Sequence, residues 1–126
     1  MTQVLGERFA RALAAKDEPG LTGLLADSID FQALTPGGSW EAATPGQVAD
    51  ILVGQWFAPS RPVRQVCSVS TGAVGDRQHV AYRLLVNDGG TDYLVEQQAY
   101  YSDDSGKITW LRILCSGFQQ AAPSPR

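Results

Sequence analysis

Glu96, Gln98 and Tyr100 alternate along the stretch VEQQAYY, residues 95–101. On a β-strand, side chains two positions apart share a face. A carboxylate, an amide and a phenol would then project together. A carboxylate held in an apolar pocket is destabilised in its charged form, which raises its pKa and suits it to general acid–base work near neutral pH. The amide and the phenol would donate hydrogen bonds to a developing enolate or alkoxide. Glu96, Gln98 and Tyr100 are therefore the candidate catalytic set. A structural alternative stands beside it. In it, Glu96 is the ion-pair partner of Arg83 on the neighbouring strand, or of Arg112, because buried charges are usually paired. A register shift of one residue would exchange the two faces of this strand and put Glu96 outside.

Other reactive side chains offer less. His79 begins a strand beside a turn, with no acid nearby in sequence, and reads as an exposed turn-flanking residue. Asp27 and Asp30 follow the second helix and read as capping, solvated groups. Two cysteines, Cys67 and Cys115, make no disulfide framework, and with one histidine they are too few for a zinc site. No metal or cofactor is expected. Ten basic against thirteen acidic residues give a net charge of −3. The basic residues are scattered, which argues against a nucleic-acid surface. No stretch is long and apolar enough to span a membrane, and Glu7 and Arg8 interrupt the apolar pattern of the N-terminus. A cytoplasmic protein with free thiols is expected.

The 126 residues suit one domain, residues 1–120, with a Pro/Ser-rich tail at 121–126. Leu5, Phe9 and Leu13 mark the buried stripe of a first helix over 3–16. Asp17 offers an N-cap and Pro19 a first-turn proline for a short second helix carrying Leu21, Leu24 and Leu25. IDFQAL, TPGG and SWEAA read as strand, turn and return strand. Thr44, Pro45 and Gln47 form an N-cap, an N1 proline and a capping-box glutamine. The helix they open has Val48, Ile51, Leu52, Gln55 and Trp56 on one face, and Pro59 and Pro62 close it. Four strand-length runs follow: RQVCSVSTGAV, HVAYRLLVN, TDYLVEQQAYY and KITWLRILCSGF. The turn segments GDRQ, DGG and SDDSG separate them.

The order helix, helix, hairpin, helix, four-stranded meander resembles the cone-shaped superfamily named for nuclear transport factor two, in particular its SnoaL-like members. The resemblance rests on FARALAAKDEPGLTGLLADSIDF, on TPGGSWEAATPG and on SDDSGKITWLRILCSGF, and spans residues 3–119. It implies an α+β fold, a curved antiparallel sheet with three helices from the N-terminal half on its concave face. It also implies a pocket, and a cofactor-independent isomerisation, cyclisation or dehydration of a hydrophobic, polyketide-like or terpenoid-like molecule. The same fold also hosts non-catalytic ligand-binding and protein-docking modules. The polar groups of ketosteroid isomerases are replaced here by Ala33, Phe9 and Gln98. Placing Gln98 in the pocket puts Leu94, Glu96 and Tyr100 beside it. The substrate walls are then Phe9, Phe31, Trp40, Trp56, Tyr82, Ile113 and Cys115. Leu111 would face inward with Ile113 and Cys115, while Trp110, Arg112 and Leu114 face outward. Tyr93, Val95, Tyr101, Trp110 and Leu114 would form a convex apolar patch, through which a homodimer is expected.

Overall fold

The computed structural model describes the backbone of residues 2–120 and the side chains of residues 5–120. The tail at 121–126 lies outside the described residues. Helix α1 (Thr2–Ala14) buries Leu5, Phe9, Ala10 and Leu13 on one stripe. Asp17 caps α2 (Glu18–Gly23), its carboxylate accepting the Gly20 N–H at 3.0 Å. The chain turns directly from α2 into β1 (Leu25–Thr35). Leu25, expected on the helix, is thus a strand residue, as are Asp27 and Asp30. A two-residue turn at Pro36 and Gly37 leads to β2 (Gly38–Ala42), with Thr35 opposite Gly38.

Thr44 caps α3 (Pro45–Ala49), its hydroxyl accepting from Gln47 N at 3.3 Å. The Gln47 side chain reaches back one residue further than a capping box requires and accepts from Ala43 N at 2.9 Å. The helix then widens into a π-helical stretch, Asp50–Trp56, which ends in a bond from Phe57 N to Leu52 O of 2.9 Å. The expected single helix therefore changes winding at its middle. Such widened turns often sit beside functional sites.

Strands β3 (Val63–Val74), β4 (Arg77–Asp88), β5 (Thr91–Asp104) and β6 (Lys107–Cys115) form the expected meander. A short β7 (Gln119–Gln120) continues along β5 beyond the end of β6. The seven strands make one open sheet in the order β2-β1-β6-β5-β4-β3, with β7 also paired to β5. The sheet is mixed: β1 runs parallel to β6, and the other described pairs are antiparallel. Helix α1 packs on β3 and β4, and α2 and α3 pack on β1. The core lies between these helices and the inner face of the sheet, which presents Phe31, Val80, Tyr82, Leu84, Val95, Tyr101, Ile108 and Leu111.

The face of β5 is reversed from the expectation. Val95, Gln97, Ala99 and Tyr101 point into the core, while Glu96, Gln98 and Tyr100 lie on the convex face. The cause is a bulge in β6. Asp103 pairs with Ile108 and Ser102 with Trp110, so Thr109 is an extra residue with no partner. Counting back from the turn without that residue would set Leu111 opposite Tyr100. With it, Leu111 stands opposite Tyr101. Leu111 and Ile113 do face inward and Leu114 outward, as expected. Val95 and Tyr101, expected in a convex patch, are core residues, and Tyr93 packs edge-on against Phe118 with ring centroids 6.3 Å apart.

Tyr101 lies directly beneath α1. A Cβ on Gly6 would stand 2.7 Å from the Tyr101 hydroxyl and 3.1 Å from Val80 Cβ. Gly6→Ala gains about 1 kcal/mol of helix propensity. Forcing α1 off the sheet costs about 1–3 kcal/mol, so net destabilisation is expected. Gly46, with nothing within 4 Å of its would-be Cβ, is the control. Urea denaturation of both alanine variants checks this. Equal stability of Gly6→Ala and Gly46→Ala would contradict the close packing of α1.

Candidate functional site

On the convex face, Glu96, Gln98 and Tyr100 form a connected polar surface. Arg83 Nε donates to Glu96 Oε1 at 3.2 Å, with both side chains substantially exposed. Gln98 Nε2 donates to Glu96 Oε2 at 2.8 Å, and Gln98 Oε1 meets His79 Nε2 at 2.6 Å. The His79 ring lies 4.8 Å from that of Tyr100. His79 is thus a half-buried network member rather than an isolated turn residue. Glu96 is ion-paired and open to solvent, not enclosed in an apolar pocket. The structural alternative, pairing with Arg83, is the arrangement found. Asp30 lies on the same side of the sheet, bound to Arg112 at 3.1 Å. Two guanidiniums stack on the Trp110 indole, Arg77 at 3.8 Å and Arg112 at 4.4 Å from its ring centroid.

A cavity of about 490 Å³ opens instead at the mouth of the cone. Three separate chain segments wall it: the β1–β2 hairpin, the end of the π-helical stretch with the loop after it, and the chain from Cys115 to Gln119. Of the seven expected wall residues, Trp40, Trp56 and Cys115 line this cavity. Phe9, Phe31, Tyr82 and Ile113 do not; they are fully buried in the core. Trp40 and Trp56 meet edge to face, 5.8 Å apart and 85° between planes. Trp40 is oriented by its Nε1–H, which donates to Thr35 Oγ1 at 2.9 Å.

Arg61 and Phe118 are wall residues that carried no signal in the sequence. The Arg61 guanidinium donates to Asp88 at 3.0 Å and to the Trp56 carbonyl at 3.0 Å, and it lies 4.8 Å over the Phe118 ring. It thereby ties the end of the helix to the C-terminal segment. Lys16 secures the same loop, donating to the Ala58 and Arg61 carbonyls at 2.8 Å each; burial lowers the pKa of its ammonium. Gly117 has φ +81°, and a Cβ there would stand 2.7 Å from Pro36 Cγ. Glycine is needed twice over at this position, for its backbone angle and for its contact with the hairpin turn.

The inner face carries one fully buried polar side chain among the described residues, Gln97. It pairs across the sheet with Tyr82 on one side and Cys115 on the other. The Tyr82 hydroxyl donates to Gln97 Oε1 at 2.6 Å. Burial pushes the Tyr82 phenol well above 10, and the nearby Cys115 thiol adds to this. The phenol therefore keeps its proton and remains a donor. Gln97 Nε2 and Trp56 Nε1 are both buried without a hydrogen-bond partner. The reversal of β5 is what brings Gln97 into the core. Among the described residues, no three His, Cys, Asp or Glu side chains gather to hold a metal.

Neither a protein-family model nor a curated protein matches the sequence. Solved structures do. A candidate polyketide cyclase from Pseudomonas putida superposes with a TM-score of 0.69 at 15% identity, covering 90% of each chain. An LEH-like epoxide hydrolase of M. tuberculosis gives 0.65 at 16% identity, covering 90% of this chain and 81% of that one. An NTF2-like protein from Burkholderia xenovorans gives 0.64 at 15% identity, covering 89% and 86%. At these identities the likeness is one of fold, and the chemistry of those proteins is their own. The chain has the cone-like α+β fold of the nuclear-transport-factor-two-like superfamily.

Proposed function

We propose that this protein binds a small, largely apolar molecule in the cavity at the mouth of the cone. The observation that carries this reading is the edge-to-face pair of Trp40 and Trp56 in the wall of a cavity of about 490 Å³. An apolar recess with few polar groups is the usual form of a small-molecule site. Isomerisation, cyclisation or dehydration without a cofactor needs a group that exchanges protons near neutral pH. Among the described residues, no carboxylate or histidine lines this cavity, and Glu96 faces the opposite side of the sheet. Binding without proton transfer is therefore favoured over catalysis.

We further propose that two copies of the chain pair through the convex face. Leu34 and Leu114 are partners across β1 and β6 and remain 57% and 46% exposed, which is unusual for adjacent leucines. The expected patch thus persists only in part, through Leu114 and Trp110.

Two of the three tryptophans line the cavity, so ligand binding should be visible in their fluorescence. With acetylnaphthalene as probe, Trp40→Leu should weaken binding roughly tenfold through lost ring contact. Glu96→Gln should leave it unchanged. The reverse pattern would move the site to the convex face. Sedimentation velocity tests the pairing: Leu114→Asp should convert dimers to monomers. A wild-type protein that is monomeric at millimolar concentration would refute it.

A further inference from the structure

We infer that the convex face carries a second site, separate from the cavity at the mouth of the cone, which takes the phosphate group of a small molecule. The register of three strands builds it. Ala81 stands at the centre, opposite Ser70 on β3 and Gln98 on β5. His79 and Arg83 flank Ala81 on the same face of β4. His79 stands between Gly72 and Tyr100, and Arg83 between Ser68 and Glu96. A methyl group in the middle of this grid, with longer polar side chains around it, leaves a recess of about 350 Å³. Ser68, Ser70, His79, Arg83, Glu96 and Gln98 line it. The proposed pairing contact, Leu34 and Leu114, lies on β1 and β6, to the other side of Gln98.

The hydrogen bonds of the recess narrow what it holds. The Glu96 carboxylate only accepts, so it meets the amide nitrogen of Gln98, and the amide oxygen is left to His79. His79 Nε2 then carries the proton of that 2.6 Å bond, and Nδ1 is the nitrogen left for a ligand. Both Glu96 oxygens are occupied, one by Arg83 Nε at 3.2 Å and one by the Gln98 amide at 2.8 Å. The two terminal nitrogens of Arg83 and the hydroxyls of Ser68 and Ser70 have no hydrogen-bond partner among the described residues. Arg77, two positions before His79, has no carboxylate partner among the described residues and adds positive charge to the same face. The uncommitted groups are thus a guanidinium fork, two hydroxyls and one imidazole nitrogen. A tetrahedral phosphate has oxygens enough to meet all of them, whereas a carboxylate has two. A phosphate monoester holds a proton near neutral pH, as an imidazole does, so one proton bridges the pair whichever carries it.

His79 is the only histidine of the chain, so imidazole NMR of nitrogen-15-labelled protein reads this site directly. In mildly alkaline buffer the ring should show the Nε2–H tautomer. Inorganic phosphate, titrated against chloride at constant ionic strength, should shift its resonances with a Kd of about 1 mM or below. Acetate should bind roughly tenfold more weakly. Ala81→Leu fills the recess and leaves every polar group in place, and Arg83→Gln removes the fork from an exposed position. Each should weaken phosphate binding roughly tenfold. An Nδ1–H tautomer, no saturable response to phosphate, or equal affinity for acetate would overturn the inference. So would an unchanged phosphate affinity in either variant. All of these outcomes leave the cavity reading untouched, because acetylnaphthalene binding is measured on the other side of the sheet.

Discussion

The unpaired residue Thr109 controls which half of β5 meets the core. Ile108 and Leu111, three positions apart, are both buried, which a regular strand does not allow. The extra residue between them absorbs the mismatch. Every inward contact of β5 then follows. Tyr101 comes to lie under α1, where only a glycine at position 6 leaves room for it. Ala99 comes opposite Ile113, and Gln97 comes between Tyr82 and Cys115. One inserted residue thus sets both the seating of the first helix and the polar content of the interior.

That polar content is costly. A buried donor without a partner destabilises a fold by about 1–3 kcal/mol, and the described residues include two of them, Gln97 Nε2 and Trp56 Nε1. The Tyr82–Gln97 bond offsets part of the expense of burying an amide, but it satisfies only the oxygen. A leucine and a phenylalanine in these places would fill the same space without penalty. Where sequence choices act against local stability without a structural gain, function is the first explanation to test.

The elements were legible because their signals are local. Asp17 and Thr44 each cap the helix that follows, and the hairpin turns carry their glycines where the chain reverses. The orientation of β5 was not legible, because VEQQAYY has polar and aromatic residues on both alternating positions. Either face can be made to look like a core. The deciding fact sits on the next strand, in the spacing of Ile108 and Leu111, and a bulge leaves no residue-type signature of its own. The site divides the same way. Trp40, Trp56 and Cys115 were accessible through the resemblance of the whole chain. Arg61 and Phe118 were not, because their roles come from contacts between segments far apart in sequence. Gln97 was missed through the reversed strand.

The mouth of the cone is also held differently from its body. The body is an apolar core, in which neighbouring side chains exclude water together. The mouth joins the edge of the sheet to the end of a helix and the loop after it, so directed contacts between these parts help hold it. Arg61 supplies several of these, binding the end of the helix, the end of β4 and the Phe118 ring through a single planar group with several donors. Gly117 supplies another by letting the chain after β6 close against Pro36 of the hairpin turn. The π-helical stretch ends at Trp56, so its wider winding sets where the indole enters the cavity wall. An ordinary α-helical turn has one fewer residue per hydrogen-bonded ring and would rotate the residues beyond it about the axis. The winding of this helix, rather than its apolar stripe alone, places the Trp56 indole against Trp40 in the cavity wall.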